Sequence, residues 1–381
     1  MHNTSFAKEK KTLNSWDNMK IVQIIYNLSS GGGERFVVDT CNELIKNSEN
    51  ELYLLTLNAN TPSRCHYLDT LSPIVNHTDI GTSKGLSLNG AIGLYKAIKH
   101  IKPDIVHIHC SAVLIYLPAL LYKKAKYVHT LHNLANKAIS FKWLRGFQKL
   151  LFKRRIQPVT ISNICQQSYI DFYKQDNAIC ITNGRARLKT TNKYKSVQNE
   201  IARYKQDKDI PVFIHVARYA EQKNQKLLFD AFTKLHNSGK EFLLVVIGSG
   251  YENSLYMHLN ETGFVKILGA KQNVGDYLAC ADYFVLSSTW EGLPLSLLEA
   301  MSMGCVPIST PAGGVVDVIR DGENGLLCPT FETDEFSNTI AKVFDKDFAI
   351  NKEQIIKDYE ENYTMEVCVN KYYNVYKDLL K

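Results

Sequence analysis

Short runs rich in Val, Ile and Leu alternate with amphipathic stretches along this chain, and the alternation occurs twice, with a charged break between. That pattern is what a parallel sheet covered by helices on both faces requires. In the first set, strands are expected at 21–26, 52–57, 104–109, 126–130, 158–161 and 178–181. Helices are expected near 34–46, 89–100, 111–123, 142–153 and 163–172. The stretch RARLKTTNKYKSVQNEIARYKQDKD (185–209) is polar and charged and reads as a linker. The second set has strands at 212–216, 242–247, 265–268, 283–286 and 306–309. Its helices lie near 223–236, 253–261, 273–279, 295–303 and 332–345, and the tail after 362 is helical. A chain of 381 residues is too long for one ordinary core. The expected architecture is therefore α/β: two doubly wound, Rossmann-like domains at 19–187 and 211–362, a linker at 188–210 and a polar extension at 1–18. The C-terminal edges of both sheets would then face a shared cleft, where ligands of such folds bind.

Several classes drop out on composition. No apolar run approaches the roughly 18–20 residues of a membrane span. The first eighteen residues lack the apolar region of a secretion signal. The nine cysteines are dispersed and none forms a CxxC pair, which suits a reducing cytoplasm and neither disulfides nor zinc. Charge is uneven. Residues 1–190 carry 25 Lys and Arg against 12 Asp and Glu, and no acidic residue lies between Asp104 and Asp171. A basic half suggests an anionic partner.

The stretch TWEGLPLSLLEAMSMGCVPIST (289–310) holds two glutamates, Glu291 and Glu299, in an otherwise apolar setting. It reads as a strand end, a loop at 289–292, and a helix opened by Pro294 and closed by Gly304. Unpaired carboxylates there would be costly, and hydroxyl-rich ligands would satisfy them. Free amides at the helix start favour an anion. Arg218 and Lys223 follow the first strand of the second set, where paired cations suit a diphosphate. Gly248 and Gly250 make a turn after the next strand. Gly31–Gly33 follow the first strand of the chain and precede a helix, without the G-x-G-x-x-G spacing of a dinucleotide site.

Together, SSGGGERFV, DIVHIHC, TLHN, ITNG, VARYAEQKNQKLLFDAF, IGSG and EGLPLSLLEAMSMGCVPISTPAGGVVDVIRDGENGLL resemble the retaining glycosyltransferases of family 4, which have the GT-B fold. The likeness runs over nearly the whole chain from Met19. Asp317 stands where the family usually has Glu. The resemblance implies that Glu299 holds a nucleotide ribose. It implies that Glu291, with the amides of Gly292, Leu293, Pro294 and Leu295, holds the transferred sugar. Arg218 and Lys223 would hold the diphosphate. Gly32 and Gly33 would let backbone approach the phosphates or the acceptor. His132 would face the reacting centre. His107 and His109 are read as structural and as pointing to opposite faces of their strand. The C-terminal helix would cross back to the first domain.

The D-x-D strings at Asp207–Asp209 and Asp345–Asp347 lie away from any strand's C-terminal edge, so no metal and no other cofactor is expected. The segment ISFKWLRGFQKLLFKRR (139–155) reads as a basic amphipathic helix able to rest on an anionic membrane surface. No nucleic-acid module is visible. The resulting expectation is a cytoplasmic, peripheral-membrane transferase. It would move a sugar from a nucleotide-diphosphate sugar, UDP before GDP, to a glycan or a polyprenyl-diphosphate-linked acceptor. A nucleotide-sugar 2-epimerase of the same architecture and a catalytically silent nucleotide-binding subunit stay open beside it.

Overall fold

The computed structural model describes residues 18–46, 49–59, 61–82, 87–111, 113–138, 144–252 and 254–381. The extension at 1–17 and residues 139–143, including Trp143, lie outside them. The chain forms two parallel sheets. The first has seven strands: β1 (Lys20–Ile25), β2 (Glu51–Asn58), β3 (Asn76–Thr82), β4 (Ile105–Ile108), β5 (Lys126–Leu131), β6 (Ile156–Thr160) and β7 (Ile179–Cys180), in the order β3-β2-β1-β4-β5-β6-β7. The second has six: β8 (Val212–Val216), β9 (Leu243–Ile247), β10 (Val265–Ile267), β11 (Tyr283–Leu286), β12 (Val306–Ser309) and β13 (Leu326–Leu327), in the order β10-β9-β8-β11-β12-β13. Central strands such as β9 (LLVVI) are buried throughout, because helices cover both faces and leave no side for polar residues. In each sheet the order reverses beside its first strand, between β1 and β4 and between β8 and β11. Crevices at such switch points, outside the strands' carboxyl ends, are where open α/β sheets bind ligands.

Several features depart from expectation, among them the short edge strand β13, which was not anticipated. Strand β3 (NHTDIGT) was not anticipated; it lies at a sheet edge with only Thr82 buried, so it lacks an apolar pattern. The segment at 188–210 is no plain linker. It carries the helix Tyr194–Lys205, which buries Val197 and Ile201 and packs on the short helix Val274–Leu278 of the second domain. Asp276 of that short helix accepts hydrogen bonds from the Thr191 amide and hydroxyl, both at 2.6 Å. Two buried positions four apart are all its apolar face needs, so charge dominates its composition. The helix Lys352–Asn362 is likewise additional. The helix expected near 253–261 shrinks to a 3₁₀ segment, Met257–Glu261.

The chain crosses between domains twice, side by side. The Arg185 amide donates to the Tyr363 carbonyl at 2.9 Å. Gly184 lies so close to the second crossing that a Cβ there would sit 2.6 Å from the Thr364 carbonyl oxygen. Beyond it, Thr364 caps the helix Met365–Leu380 through the Val367 amide. That helix buries Tyr372, Tyr373 and Tyr376 and lies on the helix Gly32–Leu44 of the first domain. Each large side chain so buried contributes about 1.5–3 kcal/mol.

Candidate active site

The loop after β11 is the centre of the cleft. Glu291 is buried there. Its carboxylate accepts from Lys223 Nζ at 2.6 Å, from Ser288 Oγ at 2.6 Å and from Gln222 Nε2 at 3.3 Å. Lys223 ends a 3₁₀ turn, Glu221–Lys223, on the loop after β8. The two residues assigned to sugar and diphosphate thus form an ion pair in this structure. The pair is largely shielded, with side-chain exposures of 15% for Lys223 and 6% for Glu291. Arg218, on the same loop, is exposed. Its carbonyl accepts from Gln225 Nε2 at 2.9 Å.

The glutamate loop rests on the PAGG turn. Gly313 has φ +56°, and a Cβ there would fall 1.8 Å from the Glu291 carbonyl oxygen, so only glycine fits. The Gly314 amide donates to the Gly292 carbonyl at 3.0 Å. Pro294 is the N-cap of the helix Leu295–Ser302, one position earlier than expected, and Leu293 and Leu295 are buried beside it. The turn at Gly248 and Gly250 closes onto the β8 loop: a Cβ at Gly248 would lie 1.9 Å from the Ala217 carbonyl oxygen.

The first domain meets this loop directly. A Cβ at Gly292 would approach the His132 carbonyl oxygen to 2.7 Å. Gly32 opens its helix opposite Leu295, whose Cγ lies 3.9 Å from the ideal Cβ position, and Gly33 faces open space. The starts of two helices, at Gly32 and at Leu295, therefore lie close together in the cleft, and the first-turn amides of a helix suit an anion. Lys137 sits over the Trp290 ring at 5.6 Å. Asp317 reaches across to cap the helix Asn163–Tyr173, accepting from the Asn163 amide at 2.6 Å.

Glu299 lies elsewhere in the seam. It accepts from Arg185 Nε at 2.7 Å, and the same guanidinium binds Asp39 on the Gly32 helix, which Arg35 also contacts at 2.8 Å. Arg185 and Asp39 were not singled out from sequence. Arg185 fell in the charged stretch at the domain break, and its partners are remote in sequence, so no local signal marked it.

His132 is half-buried at the end of β5 with its ring 5.3 Å from Phe36. Desolvation lowers its pKa to about 4, so it is neutral near pH 7. His107 and His109 share a face, with ring centroids 4.0 Å apart, as residues two apart on extended chain must; the expectation of opposite faces was wrong. Burial holds both well below the ordinary histidine range. Asp207 and Asp209 sit exposed past the helix Tyr194–Lys205, and Asp345 follows a helix end. Among the described residues, no group of three or more His, Cys, Asp or Glu could hold a metal ion.

Two family models match. "Glycosyltransferase Family 4" covers residues 30–185 and "Glycosyl transferases group 1" covers 196–362. The chain belongs to this family of glycosyltransferases. An uncharacterized glycosyltransferase from Methanocaldococcus jannaschii is 27% identical over 62% of this chain and 61% of its own length. The UDP-Gal:alpha-D-GlcNAc-diphosphoundecaprenol alpha-1,3-galactosyltransferase of Escherichia coli is 29% identical over 68% of this chain and 70% of its own. Among solved structures, a glycosyltransferase from Rickettsia africae superposes with a TM-score of 0.80 at 19% identity, covering 96% of this chain and 100% of that one. The two facing parallel-sheet domains are thus a GT-B fold.

Proposed function

We propose that this glycosyltransferase transfers a hexosyl group, with retention and without a metal ion, from a UDP-sugar to a lipid-diphosphate-linked glycan in cell-surface polysaccharide synthesis. The carrying observation is the shielded Lys223–Glu291 pair, on the loop that leads into the helix start at Leu295, which lies close to the helix start at Gly32. A diphosphate entering the cleft would compete for Lys223, with Arg218 exposed beside it, and would release Glu291 to accept sugar hydroxyls. Fixed cations and amides of this kind stabilise the charge that grows on a departing diphosphate. No carboxylate other than Glu291 was assigned to the reacting centre, and Glu291 is engaged as a sugar anchor. Attack by the acceptor hydroxyl on the face the diphosphate leaves, with that phosphate taking the proton, accounts for retention. The donor base and lipid acceptor follow those of the E. coli galactosyltransferase.

For the ribose, Glu299 must exchange its bond to Arg185 for a diol. The acid stays within the seam, so the assignment requires that local exchange.

The basic helix supports a peripheral membrane site. Among the described residues, no helix is long and apolar enough to cross a membrane. Arg145–Arg154 forms the described part of the helix, burying Gln148, Leu151 and Phe152. It exposes Phe147 and Leu150, with Lys153 and Arg154 beside them. Arg155 is committed inward, donating twice to the Ala119 carbonyl at 3.2 and 3.1 Å. An anionic surface would meet the exposed cations while the two apolar side chains enter the interface.

The test is transfer from UDP-sugars to an undecaprenyl-diphosphate-linked sugar in EDTA, with product anomer read by NMR. An α-linked product with metal chelated is expected from an α-linked donor. Strict dependence on Mg²⁺ or Mn²⁺, or an inverted product, would overturn the metal-free retaining assignment. Flotation with anionic liposomes at low salt should be lost in Lys153→Glu/Arg154→Glu; unchanged flotation would remove the membrane site.

A further inference from the structure

A single hydrogen-bonded chain runs from the C-terminal helix through the core of the first domain to His132. His132 Nε2 meets His109 Nδ1 at 3.0 Å, and His109 Nε2 meets Gln23 Oε1 at 2.6 Å. Gln23 Nε2 donates to the Tyr376 hydroxyl at 3.4 Å, which meets His107 Nδ1 at 2.6 Å. His107 Nε2 contacts Thr130 Oγ1 at 2.7 Å, and that hydroxyl contacts Tyr372 at 3.0 Å. Gln23, His107, Thr130, Tyr372 and Tyr376 are fully or almost fully buried, and His109 nearly so.

The Gln23 amide fixes the protons of His109 and His132, and a fully satisfied arrangement of the remaining bonds goes with it. Gln23 presents its carbonyl oxygen to His109, and an amide oxygen only accepts. His109 must therefore carry its proton on Nε2, which leaves Nδ1 as a lone pair. That lone pair needs a donor, so neutral His132 carries its proton on Nε2. On the other side, the Gln23 amide nitrogen donates to Tyr376, whose own proton then goes to His107 Nδ1. His107 donates from Nε2 to Thr130, and Thr130 to Tyr372. No donor faces a donor.

We propose that Gln23 and His109 are positioning residues that lock His132 as the Nε2–H tautomer, so that its Nδ1 lone pair is offered to a substrate hydroxyl in the cleft. This rests on the transferase reading above. The remaining nitrogen of His132 has no hydrogen-bond partner among the described residues, the residue is only partly buried, and its carbonyl already touches the sugar-binding loop at Gly292. The chain also joins the returning C-terminal helix to the Gln23 amide through the Tyr376 hydroxyl.

The test is ¹⁵N NMR of the full chain labelled only at histidine, recorded without substrate, with the His132 signal identified by its loss in His132→Gln. Wild type is expected to show His132 protonated at Nε2 and bare at Nδ1. Gln23→Met removes both amide bonds at similar volume. It should give mixed His132 tautomers and lower kcat about tenfold or more, the size seen when the hydrogen-bond partner of a metal-bound imidazole is lost, with the donor KM within about twofold. His132 protonated at Nδ1 in wild type overturns the proposal without any variant, so misfolding of Gln23→Met would not protect it. Gln23→Met with an unchanged tautomer and unchanged kcat overturns it too. A wild-type chain with the Nε2–H signature but no turnover of any nucleotide sugar would sink the transferase reading instead.

Discussion

The two walls of the cleft invert the charge of the domains that carry them. The first half of the chain is basic, yet apart from Lys137 over the Trp290 ring the side chains it brings to the glutamate loop are uncharged: His132 and His109 stand neutral in a hydrogen-bonded chain. The second half is net acidic, yet its wall supplies Lys223 and Arg218, and its Glu291 is already neutralised. Bulk charge therefore says what a domain meets at its outer surface. The chemistry of the wall is set by single partners in the core. On the proposed mechanism the difference is useful. The wall beneath the leaving group needs positive charge in the transition state.

Lys223→Met should produce the largest effect and would break the comparison most directly. It strips the second wall of its shielded cation and leaves Glu291 buried without a counter-charge. Turnover should fall roughly 10²–10³-fold, as for loss of one preorganised donor to a developing anion. Loss of one partner of a buried pair also costs about 3–5 kcal/mol of stability, so kcat is to be compared at a temperature where the variant is folded. His132→Gln, on the neutral wall, should cost less. Equal losses in the two variants would mean that the walls do not divide the work in this way.

Acid sharpens the comparison. In the first domain His107, His109 and His129 are buried and His132 partly so, and all four are held below the ordinary value, His129 at about 3 and His132 at about 4. In the second, among the described residues, only His215 is so placed, at about 4. Between these values and about 6.5 the unfolded chain binds protons that the folded chain refuses. Stability therefore rises with pH across that window and is lost as pH falls from about 6.5 toward 4. Each such histidine contributes up to about 1.4 kcal/mol per pH unit. Hydrogen exchange at pH 5 should show β4 and β5 losing protection before β8 and β11; simultaneous loss would contradict the asymmetry.

What could be read in the sequence follows the same division. Strands buried on both faces announce themselves as continuous apolar runs, so β1, β4, β5, β8, β9, β11 and β12 were legible. The edge strand β3 was not, because one covered face and no neighbour on one side ask little of its side chains. The placement of Lys223, Glu291 and Gly292 beside strand ends and glycine turns was legible because local geometry limits what can stand there. Arg185 and Asp39 were hidden, since an ion pair between residues so far apart leaves no mark in either segment. The histidine chain was half visible: His107, His109 and His132 were noticed, but Gln23 and Tyr376 join them only after the last helix has folded back.

The smallest expected effect concerns how firmly the walls are held together. Asp317 belongs to the second domain but caps a helix of the first, taking the Asn163 amide at 2.6 Å and its carboxamide at 3.3 Å. Asp317→Ala should cost about 0.5–2 kcal/mol, the usual range for a lost cap, and Asp317→Asn, which keeps an acceptor, should cost less. Only a closed cleft lets the cap form, so the loss falls on the closed state alone and not on either domain by itself. Solution scattering should then show a larger radius for Asp317→Ala without nucleotide, reversed by saturating UDP if the donor draws the walls together. An unchanged radius with a full stability loss would mean that the cap serves the helix and not the closure, and the two walls would have to be treated as one rigid body.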